Sequence, residues 1–482
     1  MLHIPLLRAG EAYTSLAKNR LQDVRTGEPL AEVSLANPGL IARELAKAPR
    51  NQRTLSALTT EELVEICGKA GRLFMEADLP VGNQTQTPDD YLAQLSATSG
   101  MPVSLGRANM AKIHFVLDKM ELVLAGLTRG LDFSVLDSGF GMEGDRRVSF
   151  RRETDSLGVI LPSNSPGVHS LWIPSVALKT PLVLKPGRQE PWTPFRIAQA
   201  LLMAGCPAAA LGFYPTDYSG AAEILLRCGR SMLFGDRSTV EPWLTDSRVQ
   251  IHGPGWSKIV VGPDMESDWP EYIDLMVESV TANCGRSCVN ASGVWTALAG
   301  REIAQALAER LAAIQALPLA DPTARLAAFP SVEAAHRFSH YIDSQLAIPG
   351  AVDLTAELRS TGRVVETDGC AFLLPTVVYC EHPDHPLAGA EFLFPFVSVV
   401  EVPAGELVQR LGPTLVATAL TRSSELQQEL LTAPNVERLN LGPIATCTVA
   451  WDQPHEGNLF EHLYRQRALQ APILESAVEV GV

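Results

Sequence analysis

The 482-residue chain predicts an α/β fold, and three observations carry that prediction. Strand-like and helix-like segments alternate from 157 to about 262. The alternation starts again after 262. Ahead of both lies a stretch of about 130 residues that reads mainly as helix. Strands alternating with helices imply parallel pairing through right-handed crossovers, and so a doubly wound sheet. Such sheets bind ligands beyond the carboxyl ends of their strands. A composition of 46% hydrophobic and 19% charged residues supplies a large core.

The elements follow in order. "LTTEELVEICGKAGRLFM" (58–75) opens with Thr59 and Glu62 at capping-box spacing, and Leu63, Ile66, Cys67, Ala70 and Phe74 then recur on one helical face. "ANMAKIHFVLDKMELVLAGLTRG" (108–130) is a second long helix ended by glycine. Near 130, "LDFSVLD" and "RRVSFRRE" read as strands around "GFGMEG" (139–144). Those six residues satisfy G-x-G-x-x-G, but that fingerprint needs a strand before it and a helix after it. A β-like segment follows instead, so 139–144 is expected to be a hairpin or loop.

Further strands are expected at 157–162, 181–185, 211–214, 231–235, 249–252 and 258–262. The clearest helix between them is 193–207, with Thr193 as N-cap, Pro194 in the first turn, and Gly205 and Pro207 as stops. After 262, helices are expected at 268–281, 300–316, 332–345 and 404–411, with strands near 373–379 and 396–402. The tail from 446 joins a β-like "TCTVAW" to a polar segment.

A net charge of −15 excludes nucleic acid and anionic membranes as the main partner, because the mean field repels polyanions. No apolar run reaches the roughly 18–20 residues of a membrane helix. The N-terminus is interrupted by Arg8 and Glu11 and lacks a signal-peptide core. A soluble, cytoplasmic protein is expected. Its eight scattered cysteines should then be thiols.

"ANCGRSCVN" (282–290) concentrates chemistry. Two cysteines four apart suit a metal clip, a redox pair, a nucleophile on a turn, or plain packing. A structural zinc needs a second matching pair. The other candidate cluster, Cys380, His382 and His385, lies in a proline-rich loop, so no metal is expected.

Asn283, Gly285 and Cys288 match N-x-G-Q-x-C, with Arg286 in place of glutamine. "LPSNSP" (161–166) places Pro162, Asn164 and Pro166 as in P-W-N-x-P, and "VLKPG" (183–187) follows V-x-K-P-[SA]. "EFLFPF" (391–396) follows E-x-F-G-P, with Phe394 for glycine. Four such motifs in this order resemble the aldehyde dehydrogenase superfamily, over about 145 to 445 and more weakly beyond.

The resemblance implies an aldehyde dehydrogenase-like fold: a Rossmann-type NAD(P)-binding domain (1–130 and 156–261), an α/β catalytic domain (262–445), and a small β oligomerisation element (131–155 and 446–482). A homodimer or homotetramer is implied. So are roles: Cys288 as nucleophile, and the Asn164 amide with the Cys288 backbone N–H as oxyanion donors. Lys185 and Glu391 match residues contacting the adenosine and nicotinamide riboses, with Pro162 beside them. Gly235 opens "GDRSTV", a poor counterpart of the pyrophosphate-binding G-S-T-x-x-G. Arg188 stands where many NAD-preferring members carry glutamate, and its guanidinium suits a 2′-phosphate, so the cofactor is NAD or NADP.

One departure bears on the reaction. Hydrolytic members activate water with a glutamate in E-L-G-G-K, and Gln250 stands at that position here. An amide has no useful basicity. "HGPGW" also resembles the G-P-G-N segment of CoA-acylating members, which release the thioester to coenzyme A. The expected reaction is aldehyde to acyl-CoA, or the reverse, with coenzyme A as co-substrate. The alternatives are hydrolysis to a carboxylic acid, with His252 as a substitute base, and a non-catalytic or metal-binding member of the fold. Arg286 is expected either to lower the thiol pKa or to hold an anionic substrate, and Cys284 to be a packing residue.

Overall fold

A computed structural model describes residues 1–470. Two seven-stranded sheets organise the chain. The first runs, in spatial order, Val249–His252, Arg230–Phe234, Leu157–Ile160, Leu182–Lys185, Leu211–Phe213, Leu6–Arg8 and Glu11–Tyr13. Its first five strands are parallel, and the last two are antiparallel additions. The second runs Ala351–Asp353, Thr376–Cys380, Phe396–Glu401, Ala291–Thr296, Ser257–Val261, Thr414–Leu420 and Val436–Leu441, all parallel except its first edge.

The expected change of domain at 262 falls earlier. Ser257–Val261 pairs with Ala291–Thr296, so it belongs to the second sheet. The crossing is the short segment 253–256, between one sheet's edge strand and a central strand of the other.

The helical reading of the N-terminus holds for Thr60–Glu76, where Thr59 and Glu62 form the capping box. It fails for residues 2–34, which hold five strands. Residues 4–7 are all buried, with Ile4 and Leu6 in three-residue strands of two different sheets, too short for an alternation to show. The long helix at 108–130 is two, Val103–Asp118 and Met120–Leu127, broken at Lys119.

"LDFSVLD" is not a strand. The Asp132 carboxylate accepts from the Ser134 N–H at 2.8 Å, starting the short helix Ser134–Ser138, which Gly139 ends at φ 78°. The glycine-rich segment does form a hairpin, Phe140–Glu143 against Arg146–Arg152. Tyr464–Arg467 adds to it as a third strand, uniting the hairpin with the tail. "TCTVAW" is irregular, and the last edge strand is Val436–Leu441. Residues 471–482 of the expected oligomerisation tail lie outside the described residues.

The helix expected at 193–207 spans Trp192–Ala204 and stops at Gly205, φ 105°. Thr193 is not its cap. Glu190 accepts from the Thr193 N–H at 2.8 Å and from its hydroxyl at 2.7 Å, satisfying first-turn donors with a carboxylate.

Candidate active site

Three parallel strands of the first sheet deliver residues to one cleft. Pro162 follows Leu157–Ile160, Lys185 closes Leu182–Lys185, and Gly235 follows Arg230–Phe234. With Arg188, Tyr218 and Trp243 they line a cleft of 810 Å³ at the carboxyl ends of the strands. Burial lowers the Lys185 pKa, and no neighbouring acid offsets it. The backbone is tight beneath: a Cβ on Gly187 would come within 2.3 Å of the Pro162 carbonyl oxygen. An unpaired cation beside an aromatic-walled cleft fits the adenosine half of a dinucleotide. The pyrophosphate end fits less well. Asp236 caps the turn after Gly235, accepting from the Thr239 N–H and the Ser238 hydroxyl at 2.8 Å each, and its charge opposes a phosphate there.

The loop that carries Cys288 belongs to the second sheet, just ahead of Ala291–Thr296. Asn283, Cys284 and Gly285 are consecutive left-handed residues, at φ 50°, 60° and 67°. Such backbone persists only where its surroundings hold it. The Asn283 amide donates to Ser165 Oγ at 2.8 Å, and its oxygen accepts from Asn109 Nδ2 at 2.8 Å. Gly285 must be glycine twice over: besides its φ, a Cβ would lie 2.6 Å from the Phe394 carbonyl carbon. Asn290 closes the turn, accepting from the Ser287 N–H at 2.9 Å and donating to the Ala282 and Ser279 carbonyls.

Cys288 is held through its own carbonyl. Ser257 Oγ donates to it at 2.8 Å, and a Cβ on Gly255 would stand 1.9 Å from that oxygen. The 253–256 crossing therefore seats Cys288 directly.

Cys288 lines a cavity of 210 Å³ together with Lys112, Asn283, Cys447, Trp451 and His455. Its sulfur lies 4.0 Å from His455 Nε2. On the other side of that ring, Arg438 Nη1 is 3.0 Å from Nδ1. A guanidinium only donates, so Nδ1 accepts and the imidazole proton sits on Nε2, facing the sulfur. Burial first, then the Arg438 charge, pushes the His455 pKa down to about 3, which keeps the ring neutral. Burial and then the charges of Glu456 and Glu391 push the Cys288 thiol up to about 12.

Other expected residues are placed as follows. Asn164 Nδ2 donates to the Arg286 carbonyl at 2.7 Å, while its oxygen is buried without a partner among the described residues. Asn164 is therefore tied to the nucleophile loop and lies outside the wall of the 210 Å³ cavity. Glu391 lies outside the wall of the Lys185 cleft. Its oxygens accept from the Gly255 and Trp256 N–H groups, and burial raises its pKa to about 7.

Arg286 does neither thing expected of it. Its guanidinium is buried and donates to the Ser99 carbonyl at 2.7 Å, with Ala328 O at 3.4 Å, so it ties the loop to neighbouring backbone. Cys284 is a fully buried thiol outside the wall of the 210 Å³ cavity, and so a packing residue.

Gln250 occupies the strand where a water-activating carboxylate was sought, and its amide donates to the Glu456 carbonyl. Two positions on, His252 stacks on Phe234 at 4.3 Å and meets Glu456 Oε2 at 2.5 Å. A carboxylate thus does reach this region, from the tail. Lys112, Arg438, His455 and Glu456 were not foreseen. The only signal was the His–Glu pair in the polar tail segment.

A family model described as the aldehyde dehydrogenase family matches residues 15–409. The chain belongs to the aldehyde dehydrogenase family. Among its curated relatives is the phenylacetaldehyde dehydrogenase of Pseudomonas fluorescens, 31% identical over 109 residues. That match spans 22% of this chain and 22% of the relative, about a fifth of its length. The fold is similar to an NAD+ complex of aldehyde dehydrogenase from Bacillus cereus, at TM-score 0.77 and 16% identity over 98% of this chain and 97% of that one. It is equally similar to an indole-3-acetaldehyde dehydrogenase complexed with NAD+, at TM-score 0.78 and 15% identity over 97% and 96%. The aldehyde dehydrogenase fold therefore covers both sheets and the hairpin. Among the described residues no helix is long and apolar enough to cross a membrane.

Proposed function

We propose that the chain oxidises a small aldehyde at Cys288 with NAD or NADP as hydride acceptor, and passes the acyl group to coenzyme A. One observation carries the oxidation: Cys288 is pinned on the wall of the 210 Å³ cavity, with a neutral imidazole N–H 4.0 Å from its sulfur. The nicotinamide, when bound, accepts hydride. The named complexes of family members with NAD+ support that cofactor, as does the unpaired Lys185 in its cleft.

The rest is done by the chain. The Cys288 sulfur bonds to the aldehyde carbon, and the thiol proton passes to the carbonyl oxygen or to a nearby base. Loss of hydride from carbon and a proton from oxygen leaves a thioester on Cys288. The His455 Nε2–H is directed at the region where negative charge develops, first on sulfur and then on oxygen. Glu391, titrating near 7, suits proton exchange at neutral pH. The coenzyme A sulfur then bonds to the acyl carbon, the bond from that carbon to the Cys288 sulfur breaks, and the coenzyme A thiol proton passes to Cys288 as acyl-CoA leaves. Gln250, an amide committed to the tail backbone, supports this release because it offers water no base.

A second reading has its own support. The Glu456 carboxylate lies close enough to raise the Cys288 pKa, and with His252 it forms a pair able to activate water. Incubating enzyme, aldehyde and NAD(P)+ with and without coenzyme A separates the two. Acyl-CoA formation with strict dependence on coenzyme A supports transfer. Free acid at a rate indifferent to coenzyme A overturns it in favour of hydrolysis. Self-association through the hairpin is part of the proposal, supported by half-exposed Phe140 and Met142, and light scattering that finds only monomer would refute it.

A further inference from the structure

The cavity around Cys288 holds a cation that the reaction above does not use. Lys112 projects into it from the helix Val103–Asp118. Burial lowers its pKa, and the charges that favour its protonated form come only from the Cys447 and Cys288 thiols, with no carboxylate among them. The acids nearby are engaged: Glu456 with His252, and Glu391 with the Gly255 and Trp256 N–H groups. Arg438 also enters this region without an acidic partner among the described residues, its guanidinium facing His455 and the Thr448 carbonyl. A half-buried ammonium with no counter-charge among the described residues is costly, and a ligand that brings the charge relieves that cost.

We propose that Lys112 receives the distal carboxylate of the substrate, so that the chain takes short aldehydes bearing a terminal carboxylate. This rests on the assignment of Cys288 as nucleophile. The lining of the same cavity includes Leu105, Leu171, Val289 and Trp451, which suit a methylene chain. The 210 Å³ cavity is about seven times the roughly 30 Å³ a water molecule occupies, which limits the substrate to a short chain. A single ammonium matches a monoanionic carboxylate better than a phosphate dianion. The net charge of −15 repels anions at long range, so anion selection has to be made locally.

The test compares kcat/KM for 4-oxobutanoate with that for the nearly isosteric neutral pentanal, in the wild type, Lys112→Met and Lys112→Arg. The wild type is expected to favour 4-oxobutanoate. In Lys112→Met that preference should fall by about 10- to 100-fold, the usual weight of one charge-assisted hydrogen bond. Lys112→Arg should retain most of it. A wild type that prefers pentanal, or a ratio unchanged in Lys112→Met, overturns the proposal. A 4-oxobutanoate analogue with phosphonate replacing carboxylate, if preferred, reassigns the anion. Protection of Cys288 from iodoacetamide by succinate reads the Lys112 contact without turnover. Protection in the wild type that is lost in Lys112→Met upholds the contact even if no aldehyde is oxidised, an outcome that would sink the proposed reaction alone. Absence of protection counts against the contact.

Discussion

Gly255 packs directly against the Cys288 backbone, so Gly255→Ala is a sharp perturbation. Its Cβ would fall 1.9 Å from the Cys288 carbonyl oxygen, 2.7 Å from the carbonyl carbon and 3.0 Å from the Cα. Carbon–oxygen contacts settle near 3.3 Å, so the two backbones must separate by about 1.4 Å. Ser257 Oγ and the strand pairing of Ser257 with Ala291 resist that movement, leaving the Cys288 loop to give way. Overpacking of this kind costs about 1–3 kcal/mol of stability. A displacement of about 1 Å at a reacting group costs about 100-fold in rate. Gly253→Ala is the control, because its Cβ would meet Val240 at 3.6 Å, an ordinary contact. The assay is aldehyde-dependent NAD(P)H formation, with thermal melting alongside. A fall in kcat of about two decades is expected for Gly255→Ala, against a change within about threefold for Gly253→Ala. Equal activity in the two variants would refute the claim that the crossing segment positions the nucleophile.

Four further outcomes are expected. Asn283→Ala loses the bonds to Ser165 and Asn109 and places alanine at φ 50°, so it should destabilise by about 1–3 kcal/mol in urea unfolding; a neutral result would mean the strained turn does not depend on them. His455→Leu removes the N–H facing the sulfur, and kcat should fall by about 10²–10³ while KM for the dinucleotide is unchanged; an intact kcat denies it a role in stabilising charge. With the Cys288 thiol pushed up to about 12, its alkylation by iodoacetamide should quicken tenfold per pH unit from 7 through 9 without levelling. Glu456→Gln removes a negative charge that raises this pKa and should speed alkylation at fixed pH; a plateau near pH 8 in the parent enzyme contradicts the burial argument.

Much of the architecture was legible because its signals are local. The Thr59–Glu62 capping box, the strands at 157–160, 182–185, 211–213, 230–234 and 249–252, and the hairpin nature of 139–144 each follow from a few consecutive residues. The misreadings have physical causes of the same scale. The N-terminal strands are too short for their period to register, and a single aspartate turned "LDFSVLD" into a helix. Ser257–Val261 reads as a strand from sequence, but which sheet a strand joins depends on partners more than thirty residues away.

The sequence by itself determined the fold class and the family motifs, because periodicity and motif order are properties of contiguous chain, and the resemblance those motifs carry put forward Cys288, Lys185, Pro162 and Gly235 as candidates. Only the tertiary structure decided what surrounds the sulfur. Arg286, two residues from Cys288, turns away into backbone carbonyls, while His455, Glu456 and Lys112 arrive from the tail and from an N-terminal helix. Electrostatic influence falls with distance in space and not along the chain, so the groups that set the chemistry of Cys288 could be found only after folding brought them to it.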